Sequence, residues 1–199
     1  MKCLPLISII FFHLHDIKFN PRIPPVSYSD WILTGEVCGV FGDLFLCLSP
    51  SFLDSYFIAG FVSFSLGHCS YITAFGFKVD DTEALILFAI PLILILRKLF
   101  KLYLDINSRV MIATYTLLVV TMAWRAMAKS QVLHGHYREL DRLALMFGGL
   151  LFTFSDYLLI LRSNCPLNDC YMWLMASYYA AQYCIWSSAT NWYTLVVKP

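Results

Sequence analysis

The stretch that decides the fold is GEVCGVFGDLFLCL at residues 35–48, followed by FIAGFVSFSLGHCSYITAF at residues 57–75. With their flanking residues, both are long and apolar enough to form helices across the roughly 30 Å hydrocarbon core of a bilayer. Asp43 lies inside the first stretch, where a carboxylate costs about 2.5–3.5 kcal/mol by insertion scales unless it is paired or faces water. We therefore expect Asp43 to have a function.

The composition is that of a polytopic helical membrane protein. Of the 199 residues, 59% are hydrophobic and 14% are charged, whereas soluble domains carry roughly a quarter charged residues. The formal net charge is +1, and no basic stripe is present, so we expect no nucleic-acid binding. We predict one all-α domain over residues 1–199, a transmembrane helix bundle in the lipid bilayer with no soluble appendage.

Apolar runs, separated by prolines and polar segments, predict seven membrane helices. Their expected ranges are 3–14, 28–48, 53–76, 84–100, 106–127, 143–162 and 170–191. Lysine and arginine are divided six to eight between the two sides, which is too even for the positive-inside rule to fix the orientation. The seven cysteines include no metal-binding spacing, and we expect free thiols, although Cys165 and Cys170 could form a bridge in an oxidising lumen.

Polar side chains inside these helices lie on faces that could converge. Two of them are the acids Asp43 and Asp156. Two carboxyl groups that lie close together in a low dielectric cannot both ionise easily, so one is expected to hold its proton beside an ionised partner. Acid and base groups in this arrangement act on acetal-like bonds. The remaining candidates for such a pocket are His68, Tyr71, Arg125, Ser155, Tyr178, Tyr179 and Gln182.

These polar residues also have structural interpretations. Intramembrane acids pair with an arginine such as Arg125, or relay protons in transporters. Gly35 and Gly39, like the pair Gly148–Gly149, would allow helices to approach closely. Glu36 would either snorkel towards the surface or pair with another group, and His13 is expected to be solvated beside a loop.

Two other classes of function stay open. One is a lipid- or proton-coupled transporter or a non-catalytic lipid-binding protein, for which no inverted repeat is visible in the sequence. The other is a zinc-dependent lipid amidase, which needs three histidines and an acid at one depth, whereas only His68 is well inside a predicted helix. We rank the amidase lowest.

Five motifs together indicate a family. VFGDLFL (40–46), GHCSY (67–71), WRAMA (124–128), FTFSDY (152–157) and ASYYAAQ (176–182) resemble the lysoplasmalogenase family, also called YhhN-like, which includes the animal transmembrane 86 proteins. The resemblance implies an eight-helix enzyme of the endoplasmic reticulum membrane. It would hydrolyse the vinyl ether bond of lysoplasmalogens to a long-chain aldehyde and glycerophosphocholine or glycerophosphoethanolamine, without a metal or organic cofactor.

The resemblance also implies roles for the polar residues. Asp43 and Asp156 would be the catalytic acids, and the pocket would be lined by His68, Tyr71, Ser155, Tyr178, Tyr179 and Gln182, with the head group near Arg125. Three features depart from the family pattern, and one of them is the atypical loop SNCPLNDC at residues 163–170. KCLPL at residues 2–6 is similar to the family's second helix, so the first of the eight helices is expected to be missing, and Glu36 stands where the family is usually apolar. A homodimer stays open.

Overall fold

The computed structural model describes residues 3–19, 28–51, 54–77, 88–90, 92–97, 105–132, 139–161 and 167–190. Within these ranges there are seven helices and no strand, which confirms the predicted all-α fold. The helices are α1 (Leu4–Phe19), α2 (Tyr28–Leu48), α3 (Ser55–Phe75), α4 (Phe88–Arg97), α5 (Ile106–Val132), α6 (Glu139–Leu161) and α7 (Leu167–Thr190). The suggested Cys165–Cys170 bridge lies outside the described side chains.

Four of these helices, α2, α3, α5 and α6, are long and apolar enough to cross a membrane. A helix of 21 residues, such as α2 or α3, is about 31 Å long, which matches the thickness of the hydrocarbon core. Two shorter apolar helices are Leu4–Asp16, within α1, and Phe88–Arg97. The protein is therefore a multi-pass integral membrane protein.

The ends of α5 and α6 extend into the predicted polar link between them. We expect these helices to end at residue 127 and to begin at residue 143, but α5 continues to Val132 and α6 begins at Glu139. Arg142 joins the two ends, because its Nε donates to the carbonyl of Ser130 in α5 at 2.8 Å. Its Nη1 donates to Glu139, within the first turn of α6, at 2.8 Å. Glu139 and Asp141 lie in the first turn of α6, where acidic side chains favour a helix start.

The distribution of side chains is that expected of a bundle surrounded by lipid. Large apolar side chains are exposed on its outer surface, and Met172 is 74% exposed. Such side chains would be unfavourable in water but are matched by lipid chains. The interior instead contains most of the chemistry-bearing polar side chains, which include Glu36, Asp43, His68, Asp156 and Gln182.

Five helices contact one another in a closed ring, in the order α2, α3, α5, α6 and α7, and α7 returns to α2. α1 packs on the outside of this ring against α2 and α7. In α4, Phe88 packs against Val120 and Ala123 of α5. The polar interior is therefore enclosed mainly by α2, α3, α5, α6 and α7.

Glycines set the distance between α2 and α3. A Cβ atom on Gly67 would lie 3.1 Å from the carbonyl oxygen of Gly35, and a Cβ atom on Gly60 would lie 3.1 Å from that of Gly42. The same face of α2 also contacts an aromatic ring, because a Cβ atom on Gly35 would overlap the ring of Tyr71. Backbone contact of this kind is typical of small-residue interfaces in membranes and confirms the predicted role of Gly35.

The pair Gly148–Gly149 allows α6 to approach its neighbouring helices closely. A Cβ atom on Gly148 would lie 2.8 Å from Ile185 of α7, and one on Gly149 would lie 3.1 Å from Ala123 of α5. α6 is therefore held closely between α5 and α7 through adjacent glycines. The predicted packing role of this pair is confirmed.

We predict that Gly67→Leu destabilises the bundle by about 1–3 kcal/mol, because the new side chain must push α3 away from the α2 backbone. The measurement is denaturant-induced unfolding of the purified protein in detergent micelles. Val62→Leu, an enlargement on the exposed face of α3, is the matched control and should unfold as the wild type does. Equal stability of Gly67→Leu and the wild type would contradict this account of the α2–α3 contact.

Candidate active site

Asp156 of α6 is buried against a histidine and a tyrosine from two other helices. The hydroxyl of Tyr115, in α5, donates a hydrogen bond to Oδ1 of Asp156 at 3.1 Å. Nε2 of His68, in α3, lies 3.6 Å from Oδ2 of Asp156 and 3.3 Å from the Tyr115 hydroxyl oxygen. The three side chains form a compact polar group where α3, α5 and α6 meet.

Aromatic rings enclose this group. The ring of His68 lies 4.9 Å from that of Phe152, 5.5 Å from that of Tyr115 and 6.4 Å from that of Tyr71, centroid to centroid. Within the described part of the chain, Nδ1 of His68 and Oδ2 of Asp156 are buried atoms without a hydrogen-bond partner. Unsatisfied buried polar atoms are rare in folded proteins and often mark a functional position.

Asp43 belongs to a second hydrogen-bonded group, made by α2, α3 and α7. The hydroxyl of Tyr71 donates to Oε1 of Gln182 at 2.6 Å, and Nε2 of Gln182 donates to the hydroxyl oxygen of Tyr178 at 3.4 Å. The Tyr178 hydroxyl in turn is hydrogen-bonded to the carboxyl group of Asp43. Every donor in this series is directed towards Asp43, so the series favours an ionised carboxylate at its end.

Gly39 makes room for this second group. A Cβ atom at Gly39 would lie 3.1 Å from Nε2 of Gln182 and 3.2 Å from the Tyr178 hydroxyl oxygen. The absence of a side chain at this position lets both groups lie directly against α2. The close packing predicted for Gly39 therefore serves the hydrogen-bond series as well as the helix contact.

Phe152 lies between the hydrogen-bonded group that contains Asp156 and the one that contains Asp43. Its ring is 5.5 Å from the ring of Tyr178, which contacts Asp43, and 4.9 Å from His68, which contacts Asp156. A narrow cavity lies beside it, lined by Gly35, Gly39, Phe64, Gly67, His68, Tyr71, Phe152 and Gln182. The predicted convergence of His68, Tyr71, Tyr178 and Gln182 is thus observed. Asp156 contacts this cluster at His68, and Asp43 contacts it at Tyr178.

The cavity is too narrow to hold a water molecule, whereas pockets that enclose drug-sized ligands measure about 300–1,000 Å³. Its walls are partly aromatic and partly polar, through His68, Tyr71 and Gln182, and neither aspartate is among its lining residues. A substrate would therefore have to displace side chains to enter it, and a long alkyl chain would have to lie outside it.

The other three predicted site residues have different contacts. Nε of Arg125 donates to the carbonyl of Gly76 at 2.6 Å, beyond the end of α3, and its guanidinium lies 5.0 Å from the ring centroid of Trp124. Arg125 follows Tyr115 by ten residues, about 15 Å along α5. Ser155 donates to the carbonyl of Leu174 at 3.4 Å and so joins α6 to α7.

Tyr179 lies beside the second group. Its ring is 5.2 Å from that of Tyr178, and its hydroxyl donates to the sulfur of Met175 at 3.8 Å. It is half-buried, so it can reach a substrate at the edge of the bundle. The predicted substrate contacts of Arg125, Ser155 and Tyr179 stay predictions.

Tyr115 is the residue that sequence reasoning misses. Its only signal is a hydroxyl group in an apolar helix, and tyrosine is common in protein interiors. Its ring packs 4.1 Å from that of Phe61, centroid to centroid, and this contact fixes the hydroxyl next to Asp156. Which face of α5 is turned towards α6 depends on helix packing, which the sequence pattern alone does not give.

Glu36 pairs with a histidine that we expect to be solvated. Nδ1 of His13, in α1, lies 2.9 Å from Oε2 of Glu36, and Nε2 of His13 lies 2.6 Å from Oγ of Ser29. His13 is fully buried, so the expectation that it is solvated is wrong. α1 continues to Phe19, past the predicted end at residue 14, and its inward face carries His13 to α2. Of the two interpretations of Glu36, pairing is the one observed.

In the described part of the chain, no three His, Cys, Asp or Glu side chains lie close enough to hold a metal ion. The groups around Asp43 and Asp156 contain carboxyl, phenol, amide and imidazole functions. These functions can transfer protons, stabilise a positive charge and orient a water molecule. The arrangement is therefore suited to acid–base chemistry on an uncharged, polarisable bond.

Comparison with known proteins identifies relatives over nearly the whole chain. Lysoplasmalogenase TMEM86A of Bos taurus is 32% identical over 193 residues, which cover 96% of this chain and 77% of the relative. Lysoplasmalogenase TMEM86A of Homo sapiens is 29% identical with the same two coverages. Lysoplasmalogenase TMEM86B of Homo sapiens is 27% identical over 194 residues, 95% of this chain and 74% of the relative.

No solved structure matches the chain. The sequence profile of the YhhN family matches residues 1–189, which include all seven helices up to the last turn of α7. The resemblance seen in the five motifs is thus confirmed over the whole described fold. The chain belongs to the YhhN family.

Proposed function

We propose that this protein is a membrane hydrolase that cleaves the vinyl ether bond of lysoplasmalogens by aspartate acid–base catalysis. The observation that carries the proposal is the burial of two carboxyl groups, Asp43 and Asp156, in hydrogen-bonded groups joined through Phe152. The names of its relatives, lysoplasmalogenases of two mammals, support the same substrate class. The products are a long-chain aldehyde and glycerophosphocholine or glycerophosphoethanolamine.

The chemistry of a vinyl ether explains why buried acids are needed. A proton is transferred to the alkene carbon remote from oxygen, and the carbon bonded to oxygen becomes an oxocarbenium ion. Water adds to that ion and loses a proton, which gives a hemiacetal that collapses to the aldehyde and the glycerol hydroxyl. These reaction steps need an acid, an anion and water, and none of them is a redox step.

The hydrogen bonds support different roles for the two acids. Asp43 accepts at the end of a series of donors, an environment suited to a carboxylate that stabilises the oxocarbenium ion and activates water. Asp156 accepts a hydrogen bond from Tyr115 at Oδ1, and its Oδ2 lies 3.6 Å from Nε2 of His68. The longer series of donors that ends on Asp43 is therefore the observation that separates the two acids. We assign Asp156 as the acid and Asp43 as the anion.

In this proposal the reactive bond enters beside His68 and Phe152 by displacing side chains, and the alkenyl chain lies along the lipid-facing surface. The cavity there is too narrow to hold the chain. Arg125 lies about 15 Å from Tyr115 along α5, so it meets the phosphate only if the head group extends towards the end of α3. The endoplasmic reticulum membrane is the location that the family resemblance implies, and co-localisation with a marker of that membrane tests it.

We predict that Asp156→Asn and Asp43→Asn each lower aldehyde release from lysoplasmenylethanolamine by about 10²–10⁴-fold, because each removes a proton donor or a carboxylate charge. The measurement is aldehyde release by purified protein in liposomes. Asp105→Asn, a change at an exposed acid before α5, is the matched control and should retain activity. Substrate flux or binding without aldehyde release by the wild type would instead favour a transporter or a lipid-binding protein.

Tyr115→Phe is expected to lower kcat for aldehyde release by about 10–100-fold. It removes a hydrogen bond worth about 1.5–3 kcal/mol to the carboxylate that forms when Asp156 gives up its proton. KM should stay near its wild-type value, because Tyr115 contacts Asp156 rather than the substrate in this account. Tyr183→Phe, at an exposed position of α7, serves as the control. A wild-type kcat in Tyr115→Phe would remove Tyr115 from the mechanism.

A further inference from the structure

Three side chains where α1 meets α2 form a hydrogen-bonded series outside the proposed vinyl ether site. Oγ of Ser29 lies 2.6 Å from Nε2 of His13, and Nδ1 of His13 lies 2.9 Å from Oε2 of Glu36. All three side chains are buried. Ser29 and Glu36 come from α2, seven residues apart and therefore on one face of the helix, and His13 comes from α1.

The order of atoms in this series is that of a nucleophilic serine site. In such sites the serine hydroxyl contacts Nε2 of the histidine and the acid contacts Nδ1. With Nδ1–H donated to Glu36, Nε2 of His13 is the acceptor for the Ser29 hydroxyl. Glu36 then fixes the tautomer and orientation of the ring, and His13 is placed to take the proton of Ser29.

The environment of Glu36 supports this interpretation. In the described residues, its second oxygen, Oε1, is buried without a hydrogen-bond partner. A buried carboxylate with an unsatisfied oxygen is destabilising unless a positive charge compensates it. His13 supplies that charge when it becomes an imidazolium ion during proton transfer, so the carboxylate favours the reacting state over the resting state.

The helix turn that contains Ser29 can also stabilise an oxyanion. It lies in the first turn of α2, where backbone N–H groups have no intrahelical acceptor and the helix dipole is positive. The same turn is one end of a helix that matches the bilayer thickness, the depth at which the ester groups of lysophospholipids lie. Fourteen residues separate Ser29 from Asp43, about 21 Å along α2, so the Ser29 hydroxyl is distant from the carboxyl group of Asp43.

We propose that Ser29, His13 and Glu36 form a second catalytic site, which hydrolyses the acyl ester bond of a lysophospholipid. Oγ of Ser29 attacks the ester carbonyl carbon while its proton passes to Nε2 of His13. The carbon–oxygen bond to glycerol breaks, His13 returns the proton to the leaving oxygen, and an acyl-serine remains. Water, deprotonated by His13, then attacks the acyl-serine and releases the fatty acid and free Ser29. Glu36 acts as a positioning residue throughout.

Two readouts on the purified full chain in detergent test this site. The first is covalent labelling by a fluorophosphonate probe, with the modified residue mapped by mass spectrometry. The second is fatty-acid release from 1-acyl-lysophosphatidylcholine. The wild type is expected to be labelled at Ser29 and to release fatty acid. Ser29→Ala and His13→Gln should lower both signals by about 100-fold or more.

Two further variants keep the test independent of folding. Glu36→Gln preserves the volume of the side chain and should slow labelling by at least about 10-fold, with unchanged elution in size-exclusion chromatography. Ser70→Ala is the matched control, because Ser70 is also buried but donates to the backbone carbonyl of Leu66 at 3.0 Å, and its labelling should equal that of the wild type. Absence of label on Ser29 in the wild type, wild-type labelling in His13→Gln or Glu36→Gln, or absence of fatty-acid release would each overturn the proposal.

Discussion

The close approach of α2 and α3 is the constraint on which the rest of the interior depends. Gly67 meets the carbonyl of Gly35 and Gly60 meets that of Gly42, so the two backbones touch at two levels seven residues apart. The ring of Tyr71 packs directly against Gly35, and its hydroxyl donates to Gln182 of α7. Because these glycines have no side chains, polar groups from α3 and α7 can pack directly against the backbone of α2.

The polar side chains that pack against α2 reduce the free-energy cost of burying carboxyl groups in a membrane. A carboxylate inside a membrane must be paired, hydrogen-bonded or exposed to water, and each acid here has its own solution. Asp43 is hydrogen-bonded to Tyr178 in the series from Tyr71, Asp156 has Tyr115 and His68, and Glu36 has His13. Distinct environments for chemically similar acids are the means by which proteins give them distinct roles. That principle underlies the assignment of Asp156 as the acid and Asp43 as the anion.

Much of the fold could be predicted from the sequence, because the length of an apolar run follows directly from bilayer thickness. The bounds of α2 agree with the prediction at both ends, whereas α5 and α6 extend into their polar link because Arg142 joins the helix ends there. The site was less predictable. His68, Tyr71, Tyr178 and Gln182 converge as expected, since each is polar in an apolar helix. Tyr115 and His13 were not recognised, because their importance depends on which helix faces them, and Arg125 contacts the end of α3.

The central claim is that cleavage begins with proton transfer to carbon in the cavity beside Phe152. Isotope incorporation tests it most directly: lysoplasmenylethanolamine is hydrolysed in D₂O or in H₂¹⁸O, and the aldehyde is reduced at once to the stable alcohol before analysis by mass spectrometry. The account predicts one deuterium on the carbon next to the former carbonyl and no ¹⁸O in the freed glycerol hydroxyl. Absence of that deuterium, or ¹⁸O in the glycerol hydroxyl, would contradict it.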